Sequence, residues 1–428
     1  MKIHPLIYLV VILAACAEQR QQVANFDDYG KYLTERLLAS QDPVREEVQF
    51  WKARLSKNPN DENSLLKLAG LYAEMFKTSG SLGNIQLSDS LYKLVLDQYP
   101  GGNAEILQSL ATNAIAQHKF PDAKDYAEKA LNLKDKKAAS LLLLVDVSLE
   151  IGDYARANKI LGQFKNKNSF AYLIRKAKAE DHSGMGDSAI ACMEKAYERI
   201  SGNKVLAQWA LSNLADMYGH AGRVDKAYAT YLEVLRINPE HDHALKGIAW
   251  ICISRDGNFR DAKKIINALA TRNFMPESHL WLATIAAMEN NEIQKRRHLN
   301  DFKSSVSGQD YKPMYSKYLA LIEAEDFNPA VAQEIAEEEI KNRPTPDSFD
   351  LLAWSYYQQG NFNKAHDIAT RRVEDQTFEP LASYHLGMIY LASGNAILAK
   401  EYLEKALDSE FELGPLVTRQ IKSALQEI

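Results

Sequence analysis

Three cysteines in 428 residues are too few to staple the chain, so disulfides cannot be what holds it together. Glycine, at 20 residues, and proline, at 13, are too sparse for collagen-like or low-complexity sequence. Neither sign of charge dominates. Lys and Arg number 51 against 56 Asp and Glu, for a formal net charge of −5. That balance excludes a protein that binds nucleic acid by bulk electrostatics. Beyond the first 16 residues nothing approaches 18 consecutive apolar residues, so no later segment is expected to span a bilayer. Catalytic signatures are missing as well: there is no His-Glu-x-x-His, no Gly-x-Ser-x-Gly elbow, no P-loop and no Gly-x-Gly-x-x-Gly. What is present is an ordinary folding composition, 46% hydrophobic and 25% charged.

The N-terminus reads as an address. Lys2 precedes an apolar run from Pro5 to Ala15 that is too short to span a membrane and has the layout of a secretory signal. Its end, Leu13-Ala14-Ala15-Cys16, resembles a bacterial lipobox. That resemblance implies a signal peptide over residues 1–15, a diacylglyceryl group on the Cys16 thiol, and acylation, as with palmitate, of the new amine. Two or more acyl chains anchor stably where one does not. Ala17 occupies the place where an Asp resembles an inner-membrane retention signal, which favours the outer membrane. Residues 17–20 match an export-to-surface stretch poorly, so the body is expected to face the periplasm. Residues 16–26, polar and without apolar period, read as the lipidated end and a tether.

The rest of the chain repeats itself. The clearest unit carries Leu211, Leu214, Ala215 and Tyr218, then Gly222, then Ala227, Tyr231, Val234 and Pro239. Both halves have the helical period, Gly222 stops the first helix and Pro239 ends the second. The small residue at Ala227 recurs as Ala123, Ala157, Ala189, Ala262, Ala332, Ala365 and Ala399, with Lys295 standing in once. Its first-helix counterpart recurs as Ala111, Val145, Ala177, Ala215, Ala249, Ala283, Ala320, Ala353 and Gly387. Turn sequences repeat too, at Gly152-Asp153, Gly257-Asn258, Gly360-Asn361 and Gly394-Asn395.

This pattern resembles the tetratricopeptide repeat, whose period is about 34 residues. The resemblance implies an all-α fold, an α-solenoid in which about ten helix-turn-helix units wind into a right-handed superhelix over residues 61–413. Residues 27–60 are expected to cap its start, through segments 29–38 and 44–55. Residues 414–428, with a helix from Pro415 and an apolar stripe of Leu416, Val417, Ile421, Leu425 and Ile428, are expected to cap its end. Three local departures stand out: an extra loop over residues 77–84, Lys295 with the Asn290-Asn291 turn, and a polar connection over residues 300–313.

In the tetratricopeptide family the first helix of each unit lines a concave groove that binds a peptide or a partner helix. Carried onto this chain, the groove comprises Trp209, Asp216, His220, Trp250, Asp350, Trp354, Tyr357, Tyr384 and Met388. The competing reading puts those aromatics inside the superhelix, packed between units. The basic-and-Asn clamp by which some relatives hold a peptide carboxylate is not matched, since Ser212 and Asp216 stand there.

Other candidates reduce to structural roles. His241-Asp242-His243 lacks further ligands at metal-binding spacing and reads as polar residues opening a helix. The acidic run 334–339 reads as a solvated helix face, and Cys192 and Cys252 as buried free thiols. No catalytic residue, metal site or cofactor is expected. The sequence therefore implies a non-enzymatic, membrane-anchored interaction scaffold with a protein partner in the cell envelope and no nucleic-acid partner. The alternative is a glycan- or peptidoglycan-binding component that uses groove aromatics as sugar platforms.

Overall fold

The computed structural model describes residues 21–33, 43–200, 202–308 and 311–428. The proposed signal peptide and Cys16 lie outside the described residues. Among those described, all regular structure is helical. A single turn, α1 (Phe26–Tyr29), runs into a 3-10 turn (Gly30–Tyr32), and α2 (Pro43–Lys57) follows. Ten hairpins come next. The first five pair α3 (Glu62–Ser79) with α4 (Leu82–Leu96), α5 (Ala104–Ala116) with α6 (Phe120–Asn132), α7 (Lys137–Glu150) with α8 (Tyr154–Gly162), α9 (Phe170–His182) with α10 (Gly186–Glu198), and α11 (Lys204–His220) with α12 (Val224–Ile237). The other five pair α13 (Asp242–Ser254) with α14 (Phe259–Arg272), α15 (Glu277–Met288) with α16 (Glu292–Ser305), α17 (Lys312–Asp326) with α18 (Pro329–Asn342), α19 (Pro346–Gln358) with α20 (Phe362–Arg372), and α21 (Pro380–Ala392) with α22 (Ala396–Leu407). The last helix is α23 (Glu410–Gln426).

The recurring small residues are where the two helices of each hairpin meet. Ala123, Ala157, Ala189, Ala227, Ala262, Ala332, Ala365 and Ala399 are all fully buried. Ala111, Val145, Ala215, Ala249 and Ala353 are equally so on the first helices. A methyl group at the crossing lets backbones approach, and longer side chains to either side fill the space. Five of the turns share one construction, in which a residue in the left-handed region follows the first helix and an Asn or Asp caps the second: Gly152-Asp153, Gly257-Asn258, Asn290-Asn291, Gly360-Asn361 and Gly394-Asn395. Gly360 has φ 76° and the Asn361 side chain accepts from the Lys364 amide at 3.3 Å. In the divergent Asn290-Asn291 turn, Asn290 takes the left-handed place with φ 57° and Asn291 caps α16, so the geometry survives the loss of glycine.

Two of the local departures are accommodated differently from expectation. The extra residues 77–84 form no loop, because α3 extends to Ser79 and α4 begins at Leu82. The polar connection 300–313 is half helix, since α16 continues to Ser305 and α17 starts at Lys312. Lys295 keeps its amine away from the hairpin crossing and pairs with Asp326 at the end of α17, at 2.5 Å.

The ten hairpins coil tightly enough that distant turns touch. At the end of α18, the Asn342 side chain donates to the His118 carbonyl (2.9 Å) and accepts from the Phe120 amide (3.3 Å), at the turn of the α5–α6 hairpin. Next to it, Arg343 joins Glu339 and reaches Glu150. Glu339 is thus buried and paired, whereas Glu334, Glu337 and Glu338 of the same acidic run are exposed as expected. Phe378 packs on Gly184, Phe411 on Gly219, and the Leu82 amide donates to the Tyr311 hydroxyl at 3.3 Å.

Residues 23–33 and the C-terminal helix both fold back onto the middle of the coil. Residues 23–33 neither hang as a tether nor cap the first hairpin. The Val23 and Ala24 amides donate to the Asp256 carboxylate, each at 2.9 Å, and Tyr29 is wholly buried against Cys252. Arg272 donates to the Tyr32 carbonyl at 2.6 Å. At the other end α23 breaks at Gly414 (φ 78°, ψ 173°), so its long part begins at Pro415. The helix as a whole packs on α21 and α22 as a cap, and it also touches α11, α13 and α15.

Candidate functional site: the layer of first helices

The first helices pack on one another in three stretches of a layer, α5 on α7 and α7 on α9, α11 on α13, and α17 on α19 and α19 on α21. The nine residues carried over from the family fall on this layer but divide into three groups. Asp350, Trp354, Tyr357, Tyr384 and Met388 form a packed interior. Trp354 is 2% exposed, stacked on Tyr357 at 4.7 Å and on His385 at 4.0 Å, and its indole donates to Glu325 at 3.1 Å. Tyr384 is buried, and Met388 packs into the same cluster with Ile421 and Val417 of α23. Asp350 bonds the fully buried His385 at 2.7 Å. Burial raises the Glu325 carboxyl, partly offset by His385 and by the Trp354 indole donor. These residues are therefore no open groove: neighbouring first helices lie close enough to stack their rings, and the C-terminal helix covers what is left.

Trp250 is the second group. Its indole donates to the Phe411 carbonyl at 3.0 Å, as does the Ser254 hydroxyl at 2.6 Å. The ring lies against Gly414. It anchors the C-terminal helix of its own chain and is not free for a partner.

Trp209, Asp216 and His220 remain accessible. Trp209 is 40% exposed, stands edge-on to Phe170 with ring centres 5.9 Å apart, and sits one turn from Val205, which is 69% exposed. Asp216 accepts from the buried Tyr231 hydroxyl at 2.5 Å and bonds His243 Nε2 at 2.7 Å. Burial, with the Asp216 charge beside it, raises the Tyr231 hydroxyl far above its usual range, so it stays protonated as the donor. A half-exposed imidazole is thereby fixed beside the tryptophan-bearing helix. His241 does what the bland reading expected: its ring caps α13 by accepting from the Ala244 amide at 3.3 Å. Burial, reinforced by His243, lowers its pKa to about 4, which keeps the cap neutral and able to accept.

His220 opens onto a cavity of about 340 Å³ between the α9–α12 turns and the connections around Phe378 and Ser409. Asp181, Glu379, Asp408 and Glu412 line it together with His182 and Lys405. Burial pushes the Glu379 carboxyl up to about 7; Lys317 opposes the rise, while Asp347, Glu412 and Asp181 add to it. Cys192 and Cys252 are free thiols, Cys252 buried and Cys192 partly so. Burial raises the Cys252 thiol to about 12, which makes it unreactive.

The contribution of Val205 and Phe170 to the open patch has no family counterpart in the sequence, because their neighbours set their exposure. Comparison with known proteins agrees with the helical pattern. The tetratricopeptide repeat profile matches residues 210–241 and 382–412. No curated protein matches the chain. Among solved structures, a tetratricopeptide repeat protein from Parabacteroides merdae is similar, with 18% identity, 60% of this chain and 97% of that one covered, and a TM-score of 0.36. The human IFIT1 dimer with PPP-AAAA has 14% identity, covering 89% of this chain and 93% of that one, with a TM-score of 0.43. The two profile matches fall on the α11–α12 and α21–α22 hairpins, and hairpins crossed at a buried small residue recur between and before them: the fold is an α-solenoid of the tetratricopeptide-repeat type.

Proposed function

We propose that this solenoid is a lipid-anchored, non-enzymatic scaffold of the bacterial cell envelope that recruits a protein partner through the open stretch of first helices around Trp209. The observation that carries this reading is the exposed pair Val205 and Trp209, with the half-buried Phe170 ring edge-on to Trp209, beside the fixed His243 imidazole. An aromatic with a polar edge, held in place before binding, loses little entropy on contact and suits the centre of an interface. Anchoring rests on Leu13-Ala14-Ala15-Cys16 and would put the body on the outer membrane, facing the periplasm. Cys16 and the first docked residue, Val23, are seven positions apart, a reach of at most about 25 Å. The lipid would therefore hold the α13–α14 region close to the bilayer surface.

The test is crosslinking and pull-down from intact envelopes, with Cys16→Ala and Trp209→Ala variants beside the natural chain. The scaffold reading expects palmitate labelling and membrane retention that vanish in Cys16→Ala. It also expects one stoichiometric protein partner whose recovery falls in Trp209→Ala. Recovery of glycan fragments with no protein partner would overturn it and make Trp209 and Phe170 a sugar platform.

A further inference from the structure

We propose that His279, His298 and Asp301 form a binding site for a divalent transition-metal ion, with zinc the best fit to the donor set. The α15–α16 hairpin brings the start of one helix opposite the end of the other, and this sets His279 across from His298 and Asp301. The latter two are three apart on one helix and share a face. One ligand atom from each of the three residues lies within 4.8 Å of the other two. The imidazole rings are 6.0 Å apart and inclined by 32°. Among the described residues only three buried side-chain nitrogen or oxygen atoms lack a hydrogen-bond partner, and two of them are Nδ1 of His279 and Nδ1 of His298. A buried polar atom without a partner costs about 1–3 kcal/mol, so two on facing rings call for a ligand that bonds imidazole nitrogen.

Two imidazoles and one carboxylate suit zinc, nickel or copper and not magnesium or calcium, which take all-oxygen sets. Tetrahedral zinc with bonds of about 2.0–2.1 Å needs its donors about 3.3 Å apart, a contraction that small side-chain rotations supply. The nearby cations do not block the site. Lys263 is engaged by both Glu289 oxygens, at 2.7 and 2.8 Å, and Arg297 is largely solvated and only 4.0 Å from Asp301. Three protein ligands leave a fourth position for water or for a donor from a partner. The hairpin concerned is also the one with Lys295 at the crossing, and Leu299 and Phe302 are the only buried residues on its second helix. A metal would fasten α15 to α16 in the hairpin that lacks the small residue at its second-helix crossing. The ligands escape sequence inspection because His279 and His298 are 19 positions apart, on two helices with a turn between them.

The test strips the full chain with EDTA and titrates it with zinc against a chromophoric competitor, with thermal unfolding followed in parallel. The expected result is one zinc per chain and a melting temperature that rises with zinc. Affinity should fall at least about tenfold in His298→Ala and in Asp301→Asn, and stay unchanged in His243→Ala. Circular dichroism checks the fold of each variant. If His298→Ala does not fold, the near-isosteric Asp301→Asn decides. Absence of zinc binding, binding that survives both substitutions, or binding lost in His243→Ala overturns the assignment.

Discussion

Gly247 faces the Tyr231 ring so closely that a Cβ there would lie 2.1 Å from the ring carbon bearing the hydroxyl. Helix propensity favours alanine over glycine by about 1 kcal/mol, but the ring is held by its bond to Asp216 and cannot retreat. Gly247→Ala is therefore expected to destabilise the chain by about 1–3 kcal/mol, read as a lower urea midpoint with unchanged slope. An unchanged or raised midpoint would mean that the Tyr231 ring is free to move. Glu379 supplies a second residue-level test. Its carboxyl is raised from 4.5 to about 7 in the folded chain, so between those values the folded state binds more protons than the unfolded one. Stability then falls as pH rises through that window, because ν_U − ν_N is negative. Glu379→Gln, which keeps the shape and removes the charge, is expected to flatten the decline between about pH 5 and 7.5 in denaturant titrations; an identical slope in the variant would contradict it.

Elements that pack on sequence neighbours were legible, and those that pack on distant ones were not. The alanines at the hairpin crossings announce themselves because a close crossing tolerates only a small side chain, and the hairpin recurs. The left-handed residue followed by Asn or Asp is equally local, since both act within one turn. Contacts such as Trp250 with Phe411 or Tyr29 with Cys252 join residues 161 and 223 positions apart. They depend on small rotations between hairpins that accumulate along the coil and leave no periodic trace. Trp250 is taken up by such a distant contact, whereas Trp354 and Tyr384 are enclosed by the adjacent first helices, as the competing packed reading of those aromatics has it. Two substitutions probe the elements involved. Gly414 has a backbone conformation reserved for glycine, and a Cβ there would fall 2.8 Å from the Trp250 ring. Gly414→Ala is expected to detach α23 from α13, seen as a shift in Trp250 fluorescence and faster amide exchange in residues 415–426. Tyr29→Ala removes the buried anchor of the N-terminal segment. Since that segment can leave on its own, faster tryptic cleavage at Lys31 is expected with little change in the global unfolding midpoint. Unaltered protection would show that Asp256 and Tyr228 suffice to hold it.

On the scale of the whole molecule, a solenoid is usually a chain of nearest-neighbour interfaces whose ends fray separately. Here Asn342 and Arg343 join the eighth hairpin to the second and third, and residues 23–33 and the C-terminal helix meet at α13–α14. Arg343→Ala leaves the buried Glu339 carboxylate unpaired and removes the link to Glu150, which stays paired with Lys178. The expected cost is about 3 kcal/mol, with a larger radius of gyration by small-angle scattering, and equal dimensions would argue that this contact does not close the coil. Open solenoids behave as soft springs that lengthen under small forces and wrap what they hold. A coil whose loops are bolted to one another, and whose flanking segments are clamped at its midpoint, is a stiff block instead. Pulled, it would resist and then give way in a single large step, and a partner would meet a surface that does not deform to receive it.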